Sequence, residues 1–74
     1  MIKVFFGNNV DGYNLLASYE TEQEANKGMI DYLRILDPKN EYYYGSYWRG
    51  WIDPDTGAEM RDFGSWSNFF KIVK

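Results

Sequence analysis

The sequence predicts an α+β fold: an antiparallel sheet of four strands, with a possible fifth, and one amphipathic helix across one face, in the order β-β-α-β-β(-β). Three observations carry this reading. Apolar residues alternate with period two as far as Tyr19, switch to a period near 3.6 from Thr21, and return to strand-like runs after Pro38. A Thr-x-x-Glu spacing opens the helical stretch and Asp37-Pro38 closes it. Short turn-forming clusters join the strand-like runs, which makes successive strands antiparallel neighbours. A single helix has one apolar stripe to hide, so the other face of the sheet is expected to lack a second layer in this one-domain chain of 74 residues.

The first strand spans residues 2–6, with Ile2, Val4 and Phe6 on one face against Lys3 and Phe5. Residues 7–12 hold enough Gly, Asn and Asp for a hairpin loop with positive φ. Residues 13–19 form the second strand, and strict alternation puts Tyr13, Leu15, Ala17 and Tyr19 on one face. Thr21 and Glu24 have the spacing of a capping box, in which the Thr21 hydroxyl accepts the Glu24 amide and the Glu24 carboxylate reaches back to the Thr21 amide. The helix runs from Glu22 to about Leu36, with Ala25, Met29, Tyr32, Leu33 and Leu36 as its buried stripe. On the opposite side Glu24, Lys27, Asp31 and Arg34 alternate acid and base at spacings of three and four.

Residues 41–52 are the longest strand-like run and are rich in Tyr and Trp. Parity puts Tyr42, Tyr44, Ser46, Trp48, Gly50 and Ile52 on one face, and Glu41, Tyr43, Gly45, Tyr47, Arg49 and Trp51 on the other. The second set holds both charges, so it belongs on the uncovered face. Tyr43, Tyr47, Arg49 and Trp51 are therefore the candidate binding residues, being of the types that dominate interface hot spots. The competing reading is an aromatic ladder that only stabilises the sheet. Asp53, Pro54, Asp55 and Gly57 form a turn: proline fixes φ, the carboxylates cap amides, and glycine takes the left-handed position. A return strand follows over residues 58–63. Gly64-Ser65 breaks or bulges it, so residues 58–73 are either one bent strand or two.

Composition narrows the function. Aromatics make up 20% of the chain, too much apolar area for a disordered segment. Without histidine or cysteine the chain lacks the commonest catalytic base, the thiol nucleophile and the ligands of a Cys/His zinc site. Every Asp and Glu has a plainer role as cap, turn or solvated charge, so no enzyme, no catalytic residue, no metal and no cofactor are expected. Counting from Asp53 puts Ala58 and Gly64 where a calcium loop needs Gly and Glu, which leaves a hairpin turn. A net charge of −3 gives no global attraction to nucleic acid or an anionic membrane. No run is long and apolar enough to span a bilayer, and the first residues lack a signal-peptide pattern, so a cytoplasmic protein is expected. The favoured partner is a protein, either a host factor or a second copy. The alternatives are single-stranded nucleic acid stacked on the open aromatic face, an acidic nucleic-acid mimic using Glu20, Glu22, Glu24, Asp31 and Asp37, and a purely structural domain.

The run Trp51-Ile52-Asp53-Pro54-Asp55-Thr56-Gly57, leading to Phe63-Gly64-Ser65-Trp66-Ser67-Asn68-Phe69-Phe70 behind a capped helix, resembles the small accessory proteins encoded by phages and prophages of Gram-positive bacteria. The resemblance implies a cytoplasmic protein that works by contact rather than chemistry, in some cases by inhibiting host machinery. It carries no residue roles onto these positions.

Overall fold

A computed structural model describes residues 1–36, 49–63 and 68–74 of the chain. The elements are β1 (Ile2–Asn8), β2 (Gly12–Tyr19), α1 (Glu22–Leu36), β3 (Arg49–Ile52), β4 (Glu59–Asp62) and β5 (Phe69–Val73). The strands form one antiparallel sheet of order β2-β1-β5-β4-β3. The fold is thus α+β with five strands, and residues 58–73 contribute two of them, β4 and β5, paired with each other.

Turn chemistry sets the hairpins. The Asn8 side-chain oxygen accepts the amides of Val10 at 2.9 Å and Asp11 at 2.7 Å, and Gly12 takes a φ of 87° that other residues rarely adopt. Between β3 and β4 the Asp53 carboxylate accepts the Asp55 amide at 3.0 Å and the Thr56 hydroxyl at 3.0 Å, while Gly57 has a φ of 75°. At the helix start the Glu24 amide donates to Thr21 Oγ1 at 3.1 Å. Only this half of the capping box forms among the described residues.

The helix lays Ala25, Met29 and Leu33 on Ile2, Val4, Phe63, Phe70 and Ile72, with Phe6, Leu16, Tyr19 and Tyr32 around them. Phe70 is the centre: its ring lies 5.1 Å from Phe6 and 5.4 Å from Phe63. The buried helical stripe stops at Leu33. Leu36, expected inside, is exposed, because it sits at the helix end past the last core contact.

One parity expectation is overturned. Val4 pairs with Ala17 but Phe5 pairs with Leu15, so Leu16 is an extra residue in β2, a bulge. Ala17 and Tyr19 keep the helix side with Val4 and Ile2, whereas Leu15 and Tyr13 turn to the opposite face with Phe5 and Gly7. The four residues therefore do not share a face. Gly28 permits close packing: a Cβ there would sit 2.0 Å from the Tyr19 hydroxyl.

Candidate functional site

Register defines the face away from the helix. Leu15, Phe5, Lys71, Met60 and Trp51 form one row across all five strands. Tyr13, Gly7 and Phe69 lie on one side of that row, and Arg49 pairs with Asp62 on the same side. Ser18, Lys3 and Val73 lie on the other. Arg49 and Trp51, two of the four candidate binding residues, thus share a face opposite the helix; Tyr43 and Tyr47 lie outside the described residues.

Trp51 is 41% exposed and Leu15 is 53% exposed, so both ends of the central row reach solvent. The row is not bare throughout. Met60 is buried at 6% although it takes no part in the helix-side core, and Asp62 is buried with Arg49 donating to its Oδ2 at 2.6 Å. The Trp51 ring stands edge to face on Phe69, with centroids 5.6 Å apart and planes at 85°. Lys71 Nζ lies 5.7 Å above the Tyr13 ring, within range of a cation–π contact. Burial, and then the nearby charge of Asp53, push the Tyr13 phenol above its ordinary range. Asp53 itself is held below the usual carboxylate range, chiefly by the Asp55 amide and then by the Thr56 hydroxyl.

Charge is distributed unequally between the two faces. On the helix side Lys27 and Arg34 pair with Asp31, Arg61 with Glu59, and Lys74 with both Glu22 and Glu59. The Lys74 ammonium lowers Glu22 by direct hydrogen bonding, and Glu22 raises Lys74 in return. On the open face Lys3 and Lys71 make no ion pair among the described residues. That face therefore combines partly exposed aromatic and aliphatic side chains with two cations outside any salt bridge, of which Lys71 sits over the Tyr13 ring and by its charge helps to lower Asp53.

Sequence reasoning missed Phe5, Leu15, Phe69 and Lys71 as members of this surface. Parity alone put Leu15 on the same face as Ala17 and Tyr19, and the bulge at Leu16 leaves no composition signal that would have reversed it. Phe5, Phe69 and Lys71 become neighbours only through the pairing of β1 with β5.

Carboxylates are spread through structural roles. Asp11 accepts a hydrogen bond from Asn8, Asp62 receives Arg49, and Glu59 receives both Arg61 and Lys74. Among the described residues no group of three or more Asp or Glu side chains is placed to hold a metal ion. No described helix is long and apolar enough to cross a membrane. Comparison of the chain with protein-family models, curated proteins and solved structures finds no match.

Proposed function

We propose that the protein is a non-enzymatic binding module of the cytoplasm whose open sheet face docks on another protein. The observation that supports it is the row running from Leu15 to Trp51. It crosses the sheet on the face without the helix, is exposed at both ends, and holds Lys71 near its middle. An apolar surface with two cations outside ion pairs fits a partner surface that is apolar at its centre and acidic around it. The resemblance to phage accessory proteins supplies a setting in which such contact inhibits a host factor.

Single-stranded nucleic acid is the second reading, favoured by Lys3 and Lys71 beside aromatic rings. Against it stands the perpendicular arrangement of Trp51 and Phe69: two rings at 85° cannot both lie flat on the sheet as a stacking platform. A photo-crosslinker placed at position 15 or at position 51, with position 34 on the helix as control, tests the reading in cells that express the protein. Protein adducts from 15 and 51, absent from 34, with those from 15 abolished by Trp51→Ala and those from 51 abolished by Leu15→Ser in folded variants, support it. Adducts to nucleic acid, with a binding constant for oligo-dT that falls steeply with salt, establish the second reading instead. Equal adducts from all three positions refute both.

A further inference from the structure

The geometry points to an anchor site beside the docking row: a cleft at the end of β5 that takes a bulky apolar side chain with a carboxylate next to it, both supplied by the protein partner. This grip presupposes the docking proposed above and gives it a place and a chemistry. The β4–β5 ladder stops at Glu59 and Ile72, whereas β5 runs on to Val73, which pairs with Lys3 of β1 on its other side. Just before Glu59 the Ala58 carbonyl accepts the Asp53 amide at 2.8 Å. The β3–β4 hairpin thus closes on itself instead of continuing alongside β5. A cleft of about 490 Å³ opens between its turn and residues 71–74.

The walls of the cleft are apolar. Ile52 and Ala58 stand on the hairpin side, and Ile72 and Val73 on the β5 side. Ile52 is 62% exposed, and Val73 is exposed as well. Apolar residues scattered singly on a surface need no explanation, but two that share one concavity offer what an anchor residue fills.

The occupant follows from the charges. Lys71, Lys74 and Glu59 also line the cleft. Glu59 is engaged twice over, by Arg61 at 3.0 Å and by Lys74 at 3.2 Å. Lys71 forms no salt bridge among the described residues; its ammonium lies over the Tyr13 ring, and its charge reaches Asp53. The cleft therefore carries a local positive surplus in a chain whose net charge is −3. A carboxylate at its mouth is attracted by Lys71 beside walls that keep water from one side. An ammonium in the same place meets Lys71 as a like charge, and the carboxylate in the lining already holds two cations. The groove between β2 and α1 makes no such choice, since Lys27 and Asp31 at its rim pair with each other. Lys71 belongs both to the cleft and to the row from Leu15 to Trp51, so a partner lying on that row reaches the cleft without a break.

Two measurements test the site. Phenylbutyrate, phenylbutanol and phenylbutylamine share one apolar group and differ in charge. Titrating each into the isotope-labelled full chain reads affinity and place together by NMR. The acid should bind with a Kd on the order of 1 mM, as a fragment of this size does, and should shift the amides of Gly57, Ala58 and Val73 most. The alcohol should bind about 3-fold and the amine about 10-fold more weakly. Lys71→Gln should bring the three together, and Ile52→Ser should weaken all of them by roughly 5-fold. An acid and an amine that bind alike, or shifts centred elsewhere, overturn the inference. The photo-crosslinker at position 15, on the edge strand farthest from β3, then reports on the partner. Its protein adducts should fall by roughly 5-fold in Ile52→Ser and stay unchanged in Ile35→Ser, an exposed helix position, with circular dichroism confirming each fold. Adducts indifferent to Ile52→Ser overturn the anchor site and leave the docking reading standing. A wild-type chain that yields no protein adducts overturns the docking reading, and with it the partner assigned to the cleft, whatever the probes do.

Discussion

The two faces of the sheet carry similar residue types and are built to different rules. On the helix side aromatics are interlocked: Phe6, Phe63 and Phe70 meet within 6 Å, and cations are tied to carboxylates across elements. On the other side Trp51 and Phe69 meet as a perpendicular pair, Arg49 is tied to Asp62, and Lys3 and Lys71 form no salt bridge among the described residues. Aromatic content alone therefore does not mark a binding surface. What separates the two faces is how the rings pack: on the helix side they interlock in a buried cluster, whereas Trp51 is 41% exposed with Phe69 beside it.

The sharpest way to break this contrast is to truncate one ring on each face. Phe70→Ala, at a position with no exposure, should cost about 3–5 kcal/mol, enough to leave a domain of this size largely unfolded. Trp51→Ala should cost about 1 kcal/mol, because much of its surface is already in water and its contact is with Phe69. Urea melts give both values, and equal losses would show that the open face is core as well.

Gly7→Ala comes next. A Cβ there would lie 2.0 Å from the Gly12 carbonyl oxygen, and backbone cannot swing aside as a side chain does. We expect a loss of about 1–3 kcal/mol, with the hairpin amides of β1 and β2 showing the largest shift changes in NMR spectra. Thr21→Ala removes the acceptor for the Glu24 amide and should cost about 0.5–2 kcal/mol. Because the reciprocal bond is not formed, Glu24→Gln should leave the melting midpoint nearly unchanged.

The smallest effect is electrostatic. Glu22, Asp31 and Asp53 have lowered pKa values in the folded chain, through Lys74, Lys27 and the Asp55 amide respectively. Their contribution is present above the ordinary carboxylate range and disappears as pH falls through the folded values. Lys74 and Tyr13 are raised, so their contribution is present below their ordinary values and is lost as pH climbs through the folded ones. Stability measured against pH should thus fall at both ends. These groups are largely exposed, so salt should flatten the acid limb contributed by Glu22 and Asp31 more than the part contributed by Asp53, whose main partners are an amide and a hydroxyl, with the Lys71 charge adding less.

Local chemistry was legible in the sequence because it depends on near neighbours. Thr21 capped where its spacing to Glu24 said it would, and the helix runs from Glu22 to Leu36. The turn at Asp53–Gly57 closes through the Asp53 carboxylate and the left-handed Gly57, while the Asp55 carboxylate, also expected to cap, accepts no hydrogen bond among the described residues. Arg49 and Trp51 fell on the expected face because no bulge intervenes between them. The position of Leu15 was not legible, since one inserted residue reverses parity and Leu16 resembles its neighbours. Strand order was hidden for a different reason: Lys3 meets Val73 and Phe6 meets Phe70 across nearly the full chain, and no local pattern records such a pairing.

That last pairing has a consequence for how the molecule assembles. β5 is the last strand in sequence and the middle one in the sheet. The β1–β2 and β3–β4 hairpins close over short turns, in about 1–10 µs for hairpins of this kind. Neither has a stable face until the β1–β5 seam zips, because Ile2, Val4 and Phe6 wait on one side of it and Phe63 and Phe70 on the other. Closing the seam must overcome the entropy of a loop that includes the helix. The two hairpins are thus joined into one sheet along a single line of hydrogen bonds, between strands distant in the sequence.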